Sequence, residues 1–158
     1  MRWRVLILAL AALPATVAQK YTGPRPPKAD VPYLLHASNL VETEIGEAKE
    51  ENRKDDVLYV IAGAGSPVKT PLAAPVFLFR GDTMDPERLQ LYKLEAKGGR
   101  REVLFAKKKK QVAKPIRMTV TRLSQDGVFR LEVDESLANG EYSLTPDGSG
   151  RVFCFAVY

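Results

Sequence analysis

The sequence predicts an all-β protein, a single β-sandwich of seven or eight short antiparallel strands. Runs of β-branched and aromatic residues recur between turn residues, and apolar and polar residues alternate in the C-terminal third. No stretch has the spacing of a convincing amphipathic helix. These observations favour two packed sheets, and a small closed barrel is the alternative architecture.

Length and composition limit the protein to one domain of ordinary globular type. The chain has 158 residues, of which 45% are hydrophobic and 27% charged. This composition excludes collagen-like, coiled-coil and fully disordered chains, and the length excludes a complete (β/α)₈ barrel. A single cysteine excludes a disulfide framework, and the apolar surroundings of Cys154 predict a buried, inert thiol rather than an intermolecular disulfide.

Residues 1–18 are predicted to be a secretory signal peptide. Arg2 and Arg4 form a basic head, residues 5–15 form an apolar run, and small residues precede a cleavage site after Ala18. The run is too short to cross a bilayer, so an uncleaved anchor is the less favoured alternative. We therefore expect a secreted or periplasmic protein whose mature chain has no transmembrane segment.

Charge gives no argument for nucleic acid as a partner. Cleavage removes two of the 24 basic residues and none of the 19 acidic ones, which lowers the net charge from +5 to +3. Such a small excess, on an exported protein, does not predict nucleic-acid binding.

The mature chain is predicted to begin with a proline-rich extended lead-in over residues 19–32, followed by one sandwich domain over residues 33–158. Prolines remove backbone donors and disfavour helix in the lead-in. The charged stretch 42–56 fits either an exposed helical turn or a long polar hairpin. Strands are predicted in the first part of the domain at 33–37, 57–61, 76–79, 89–96 and 102–105.

The C-terminal third predicts both strand register and a central strand. Asp126-Gly127 is a strong hairpin signal, and a two-residue turn there places Val120 opposite Val133 and Thr121 opposite Glu132. Phe129, Leu131 and Val133 then continue the buried face. Further strands are expected around 142–144 and at 152–157, and the last is apolar at every position. It should therefore lie centrally, covered on both sides.

One segment carries a family resemblance. Leu137-x-Asn139-Gly140-Glu141-Tyr142-x-Leu144, followed by Phe153-x-Phe155-x-Val157, resembles the closing strands of immunoglobulin-like domains in exported bacterial proteins. The resemblance covers roughly twenty residues of a turn with inward aromatic residues. It implies a sandwich fold and brings no catalytic residue with it.

Catalytic and metal-binding patterns are incomplete. Ser66 and Lys69 have the S-x-x-K spacing, but Pro71 prevents the helix that this chemistry needs, and a loop is expected. The sequence around Gly63 and Gly65 lacks the other residues of a phosphate-binding loop. His36 is the single histidine, so no metal site and no cofactor are expected.

Carboxylates and basic residues supply the two candidate chemistries. Paired acids leave a small secreted carboxylate-dependent hydrolase as the alternative function, with His36 as a helper. The candidates, which we expect to be solvated with ordinary pKa values, are Glu42, Glu44, Glu47, Glu50 and Glu51.

Residues 100–122 carry nine basic residues against Glu102 alone, which favours an anion-binding surface or, alternatively, a solvated loop. The predicted site comprises Arg100, Arg101, Lys107, Lys108, Lys109 and Lys110.

The sequence therefore predicts a non-catalytic binding or assembly module of the cell envelope or extracellular space. Its expected partner is an acidic polymer or an envelope protein.

Overall fold

The computed structural model describes residues 20–54, 56–106 and 113–158. Within them the protein is all-β, as predicted, and its one helical element is a single 3₁₀ turn over Pro86–Arg88. These described residues contain thirteen strands rather than seven or eight. They are β1 (Pro32–His36), β2 (Asn39–Glu42), β3 (Glu44–Glu47), β4 (Lys49–Arg53), β5 (Asp56–Ala62), β6 (Lys69–Thr70), β7 (Val76–Arg80), β8 (Leu89–Lys97), β9 (Arg100–Ala106), β10 (Met118–Arg122), β11 (Val128–Val133), β12 (Gly140–Pro146) and β13 (Arg151–Val157).

The strands form two sheets with almost entirely antiparallel pairing. The five-stranded sheet has the order β10-β11-β7-β1-β2. The second sheet, here called the curled sheet, has the order β3-β13-β12-β8-β9-β5-β4, and β6 adds a short parallel pair to β13. Its outermost strands β3 and β4 are separated in the chain by Ala48 alone. The sheet must therefore curl to bring its edges together, which makes it a half-barrel.

One hydrophobic core lies between the five-stranded sheet and strands β8, β12 and β13. Phe77 and Phe79 of β7 meet Phe153 and Phe155 of β13, and all four side chains are fully buried. The rings of Phe77 and Phe155 contact each other edge to face, with 5.0 Å between centroids. These residues are two apart in each strand, so they share a face of their sheet.

Strand β13 is central and covered on both sides, as predicted. It pairs with β12 and β3, and every residue from 152 to 157 is buried. Phe153 and Phe155 enter the core between the sheets. Val152 and Cys154 point to the opposite, concave face of the curled sheet and pack there with Ile61.

The predicted register of the β10–β11 hairpin is wrong by two residues. Val120 pairs with Leu131 rather than Val133, and Thr121 consequently pairs with Arg130. The turn is a four-residue loop over 124–127, in which the Ser124 hydroxyl accepts a hydrogen bond from the Val128 amide at 3.1 Å. A shift of two residues keeps every side chain on its predicted face of the sheet.

The described part of the lead-in before Pro32 contains no helix or strand, turns at Ala29 and Asp30, and is fixed to the five-stranded sheet. Arg80 of β7 donates to the carbonyl oxygens of Pro26 and Pro27. The Asp30 carboxylate accepts from the backbone amides of Asp82 and Met84 at 2.8 and 3.1 Å. These hydrogen bonds hold the lead-in beside the turn that follows β7.

Candidate functional site

The concave face of the curled sheet encloses a cavity of about 740 Å³ that is open to solvent. This volume lies within the range of small-molecule sites, which is roughly 300–1,000 Å³. The side chains come from alternate positions of the strands and from the turn between β12 and β13. The lining residues are Ala48, Glu50, Val57, Tyr59, Ile61, Gln90, Tyr92, Val103, Phe105, Ser143, Thr145, Pro146, Asp147, Gly148, Ser149, Gly150 and Val152.

Three aromatic rings form one wall of this cavity. Phe105 of β9 lies between Tyr59 of β5 and Tyr92 of β8. Its centroid is 5.4 Å from that of Tyr59 and 5.3 Å from that of Tyr92, with interplanar angles of 88° and 78°. Both contacts are edge to face, which is a favoured geometry for aromatic pairs.

The strand pairing explains why these rings share one face. Val57 is opposite Phe105, and Tyr59 is opposite Val103, in the antiparallel pair β5–β9. Directly opposed residues lie on the same side of a sheet, and alternate residues of a strand share a side. The predicted strand at 57–61 therefore supplies Val57, Tyr59 and Ile61 to the cavity.

The rim of the cavity is polar. The Tyr59 hydroxyl donates to Glu50 Oε2 at 3.4 Å, and the Tyr92 hydroxyl donates to Gln90 Oε1. Burial raises the pKa of both phenols, and the nearby carboxylates Glu50 and Asp147 raise them further. Both tyrosines consequently stay neutral and able to donate hydrogen bonds at neutral pH.

A buried arginine lies on the same concave face, outside the cavity. The Arg101 guanidinium is fully buried and donates to both carboxylate oxygens of Glu44, at 2.7 and 2.9 Å. It also donates to the carbonyl oxygens of Ala62 and Gly63, at 2.7 and 3.1 Å. Burial favours the neutral form of Glu44, but hydrogen bonds from Arg101 and Ser66 outweigh it and lower the pKa of this carboxyl.

Two further groups border the Arg101–Glu44 pair. Glu141 Oε2 lies 3.8 Å from Arg101 Nη1 and accepts a hydrogen bond from the Ser66 amide at 2.9 Å. Cys154 is fully buried, and burial raises the pKa of its thiol to about 12 although the charge of Arg101 opposes the shift. The thiol therefore remains protonated, as expected of a buried and inert cysteine.

The structure separates the two arginines of the predicted anion-binding site. They are adjacent in β9, so their side chains lie on opposite faces of the sheet. Arg101 is enclosed and ion-paired, and its guanidinium is not presented to solvent as an anion-binding surface requires. Arg100 is partly exposed and pairs with Glu51 at 3.1 Å and Glu102 at 3.3 Å. Lys107, Lys108, Lys109 and Lys110 lie outside the described residues, so their predicted role stays a prediction.

The described residues of the acidic stretch 42–56 form no helical turn, and they are not uniformly solvated. They comprise the end of β2, strands β3 and β4 and the start of β5; β3 pairs with β13, and β4 pairs antiparallel with β5, which is the hairpin alternative in part. The expectation of a solvated side chain with an ordinary pKa is wrong for Glu44, which points inward to Arg101. A distant partner, invisible in the local sequence, draws this carboxylate into the concave face.

His36 and Ser66, two of the residues considered for catalysis, have different hydrogen-bond partners. His36 Nε2 is 2.9 Å from Thr70 Oγ1, and the Ser66 hydroxyl accepts a hydrogen bond from the Val68 amide at 3.2 Å. Ser66 begins no helix, as its loop prediction requires. Among residues 20–54, 56–106 and 113–158, no group of three or more His, Cys, Asp or Glu residues is placed to hold a metal ion.

Comparisons with protein-family models, with characterised proteins and with solved structures give no match for this chain. None of the helical segments in the described parts of the chain has the length and apolar character needed to cross a membrane.

Proposed function

We propose that the protein is an exported, non-catalytic binding module that holds a small, largely apolar ligand in the cavity of the curled sheet. One observation carries this proposal: Tyr59, Tyr92 and Phe105 form an aromatic wall in a solvent-accessible cavity of about 740 Å³. Concave sites with an apolar lining and a few polar groups are typical of small-molecule binding.

The polar rim supports a role in ligand orientation. Gln90, Ser143 and Thr145 offer neutral donors and acceptors beside the aromatic wall. A ligand that buries its apolar part against Tyr59 and Phe105 would gain about 25 cal/mol for each Å² of apolar surface removed from water. Both side chains are only partly buried, so each has surface that a ligand can cover.

Two of the five candidate carboxyl groups, Glu42 and Glu44, have a lowered pKa, which favours binding over the alternative function, hydrolysis. Hydrolysis by paired carboxylates uses a general acid whose pKa is raised. The hydrogen bond from Lys28 lowers the pKa of Glu42. Burial alone would raise the pKa of Asp30 and Glu44, but the hydrogen bonds that each accepts lower it instead. These three carboxyl groups are therefore suited to stay ionised rather than to donate a proton.

Ligand binding is tested by amide chemical-shift mapping during titration with indole, a neutral aromatic compound. We expect saturable shifts confined to β5, β8 and β9, and a loss of binding in Tyr59→Ala and Phe105→Ala. Tyr158→Ala is the matched control, because Tyr158 is exposed and does not line the cavity. Equal binding by all four proteins, or no saturable shift in the wild type, contradicts the proposal.

The proposal also includes export of the protein and an immunoglobulin-like sandwich as its fold. A signal peptide over residues 1–18 supports export, and strands β12 and β13 carry the resemblance to immunoglobulin-like domains. N-terminal sequencing of the native protein should give Gln19 as the first residue. An intact Met1 in a cytosolic fraction contradicts export.

A further inference from the structure

We propose that the cavity selects an organic cation, a ligand that joins an ammonium group to a small apolar body. This inference rests on the proposed function, since it specifies the charge of the ligand that the cavity holds. Two features carry it: the sign of the charges on the cavity wall and the three aromatic rings beside them.

In the part of the lining that the structure describes, the charged side chains are acidic. Glu50 and Asp147 are the two charged residues of the lining, and the described part of the wall contains no lysine or arginine. The complete chain carries a net charge of +5, so the charge on the cavity wall is opposite in sign to that of the whole chain. A cation entering this cavity is attracted by both carboxylates, whereas an anion is repelled.

Glu50 carries most of the available negative charge. Among the described residues its hydrogen-bond donors are neutral groups: the Tyr59 hydroxyl at 3.4 Å and Asn52 Nδ2 at 3.2 Å. Asp147 is already paired with Arg88 at 3.4 Å, which offsets part of its charge. The carboxylate of Glu50 therefore lies beside the aromatic wall as the main counter-charge for a ligand.

The aromatic wall provides the second attraction. Cations bind to the negative faces of aromatic rings, and sets of aromatic residues recognise quaternary ammonium groups. Tyr59 and Tyr92 are each steeply inclined to Phe105, so the wall presents aromatic rings in more than one orientation. Burial and the adjacent carboxylates keep both phenols neutral, which preserves their capacity to attract a cation.

The test compares three ligands of similar size: phenyltrimethylammonium, its neutral isostere tert-butylbenzene, and the anion benzenesulfonate. Amide chemical-shift titrations with the full mature chain at low salt give the affinity for each. We expect the cation to bind about two- to thirtyfold more tightly than the neutral compound, as a cation–π contact of ordinary strength implies. Benzenesulfonate should bind most weakly.

Two variants locate the source of the preference. Glu50→Gln should reduce the advantage of the cation and leave the affinity for tert-butylbenzene unchanged. Glu51→Gln is the matched control, since it removes the same charge from the next residue of β4, on the opposite face. It should leave all three affinities unchanged, and circular dichroism should show the same β-sheet signal for each protein.

The outcomes separate this inference from the proposed function. Equal affinities for the cation and the neutral compound overturn cation selection but leave the cavity as an apolar binding site. Tighter binding of benzenesulfonate also overturns it. A cation preference that Glu50→Gln and Glu51→Gln weaken equally overturns the role of Glu50. Failure of all three compounds to bind overturns both proposals.

Discussion

Arg101 and Glu44 form a bidentate ion pair across the concave face of the curled sheet, although they lie 57 residues apart in the chain. Arg101 belongs to β9 and Glu44 to β3, an outermost strand of the sheet. The same guanidinium holds the carbonyl oxygens at the end of β5 and just beyond it. The pair therefore ties together strands that are not hydrogen-bonded neighbours and fixes the curl beside the cavity.

Removal of the Arg101 side chain should strongly destabilise the fold. Arg101→Ala leaves the Glu44 carboxylate in a partly buried site without its cation, and breaking a buried ion pair in this way costs about 3–5 kcal/mol. Arg53→Ala is the matched control, because both partners of its pair with Glu51 are exposed and such a pair contributes about 0–1 kcal/mol. Urea denaturation monitored by circular dichroism measures both changes, and equal losses of stability would contradict the structural role of Arg101.

Acid should weaken the fold through Glu44. The pKa of this carboxyl is below its ordinary value of 4.5 in the folded protein, so the unfolded chain takes up the proton first as the pH falls. The contribution of the pair to stability is therefore complete above about pH 4.5, the ordinary value, and is lost as the pH falls through the lowered folded pKa.

The Glu44→Gln variant isolates this effect. Its free energy of unfolding should decline less between pH 6 and pH 3 than that of the wild type, because the titrating group is absent. Denaturation curves at a series of pH values provide the measurement. Parallel declines in the two proteins would show that other carboxyl groups account for acid sensitivity.

Local sequence patterns predicted most strands because β-branched and aromatic runs between turn residues specify a strand without reference to its partners. The runs at 57–61 and 76–79 correspond to β5 and β7. The local sequence pattern does not predict strands β3 and β4. They lie at the edges of the curled sheet, where side chains such as Ile45 remain exposed and the apolar pattern is weak.

The candidate site depended on information that a local pattern does not contain. The burial of Arg101 is stabilised by Glu44 and by two carbonyl groups, all remote in sequence. The sequence contains one indication of the cavity. The run at 57–61 is apolar at every position, as is the run at 152–157. Such a strand needs cover on both faces. The same rule holds for β5 as for β13, and for β5 it predicts cover over Tyr59, which was not among the predicted site residues.

The core between the sheets should be most sensitive at Phe153. This side chain is fully buried among residues of both sheets, so Phe153→Ala should cost about 3–5 kcal/mol through lost burial and the resulting cavity. Arg117→Ala and Thr119→Ala should change stability by about half a kcal/mol or less, because both side chains are exposed. Chemical denaturation of the three variants decides between these expectations, and similar costs at all three sites would contradict the assigned core.

The lysine run provides a prediction about an anionic partner that is separate from the cavity. If Lys107, Lys108, Lys109 and Lys110 bind an acidic polymer, replacing all four with Ser should remove most of the retention on a heparin-like column. Retention of the wild type should also fall steeply with salt, since charges in solution are screened beyond about 8 Å at physiological ionic strength. The fold should remain intact, because the run lies between β9 and β10 in the chain.

A charge-matched control separates a specific surface from general basicity. Replacing the exposed lysines Lys49, Lys69, Lys93 and Lys97 with Ser removes the same charge from strands elsewhere in the fold. Because counterion release depends on contacts between lysines and the polymer, this variant should elute close to the wild type. Equal losses in the two variants would indicate that net charge alone causes retention. Elution of the 107–110 variant with the wild type would assign the run to a solvated loop that protects neighbouring strands from aggregation.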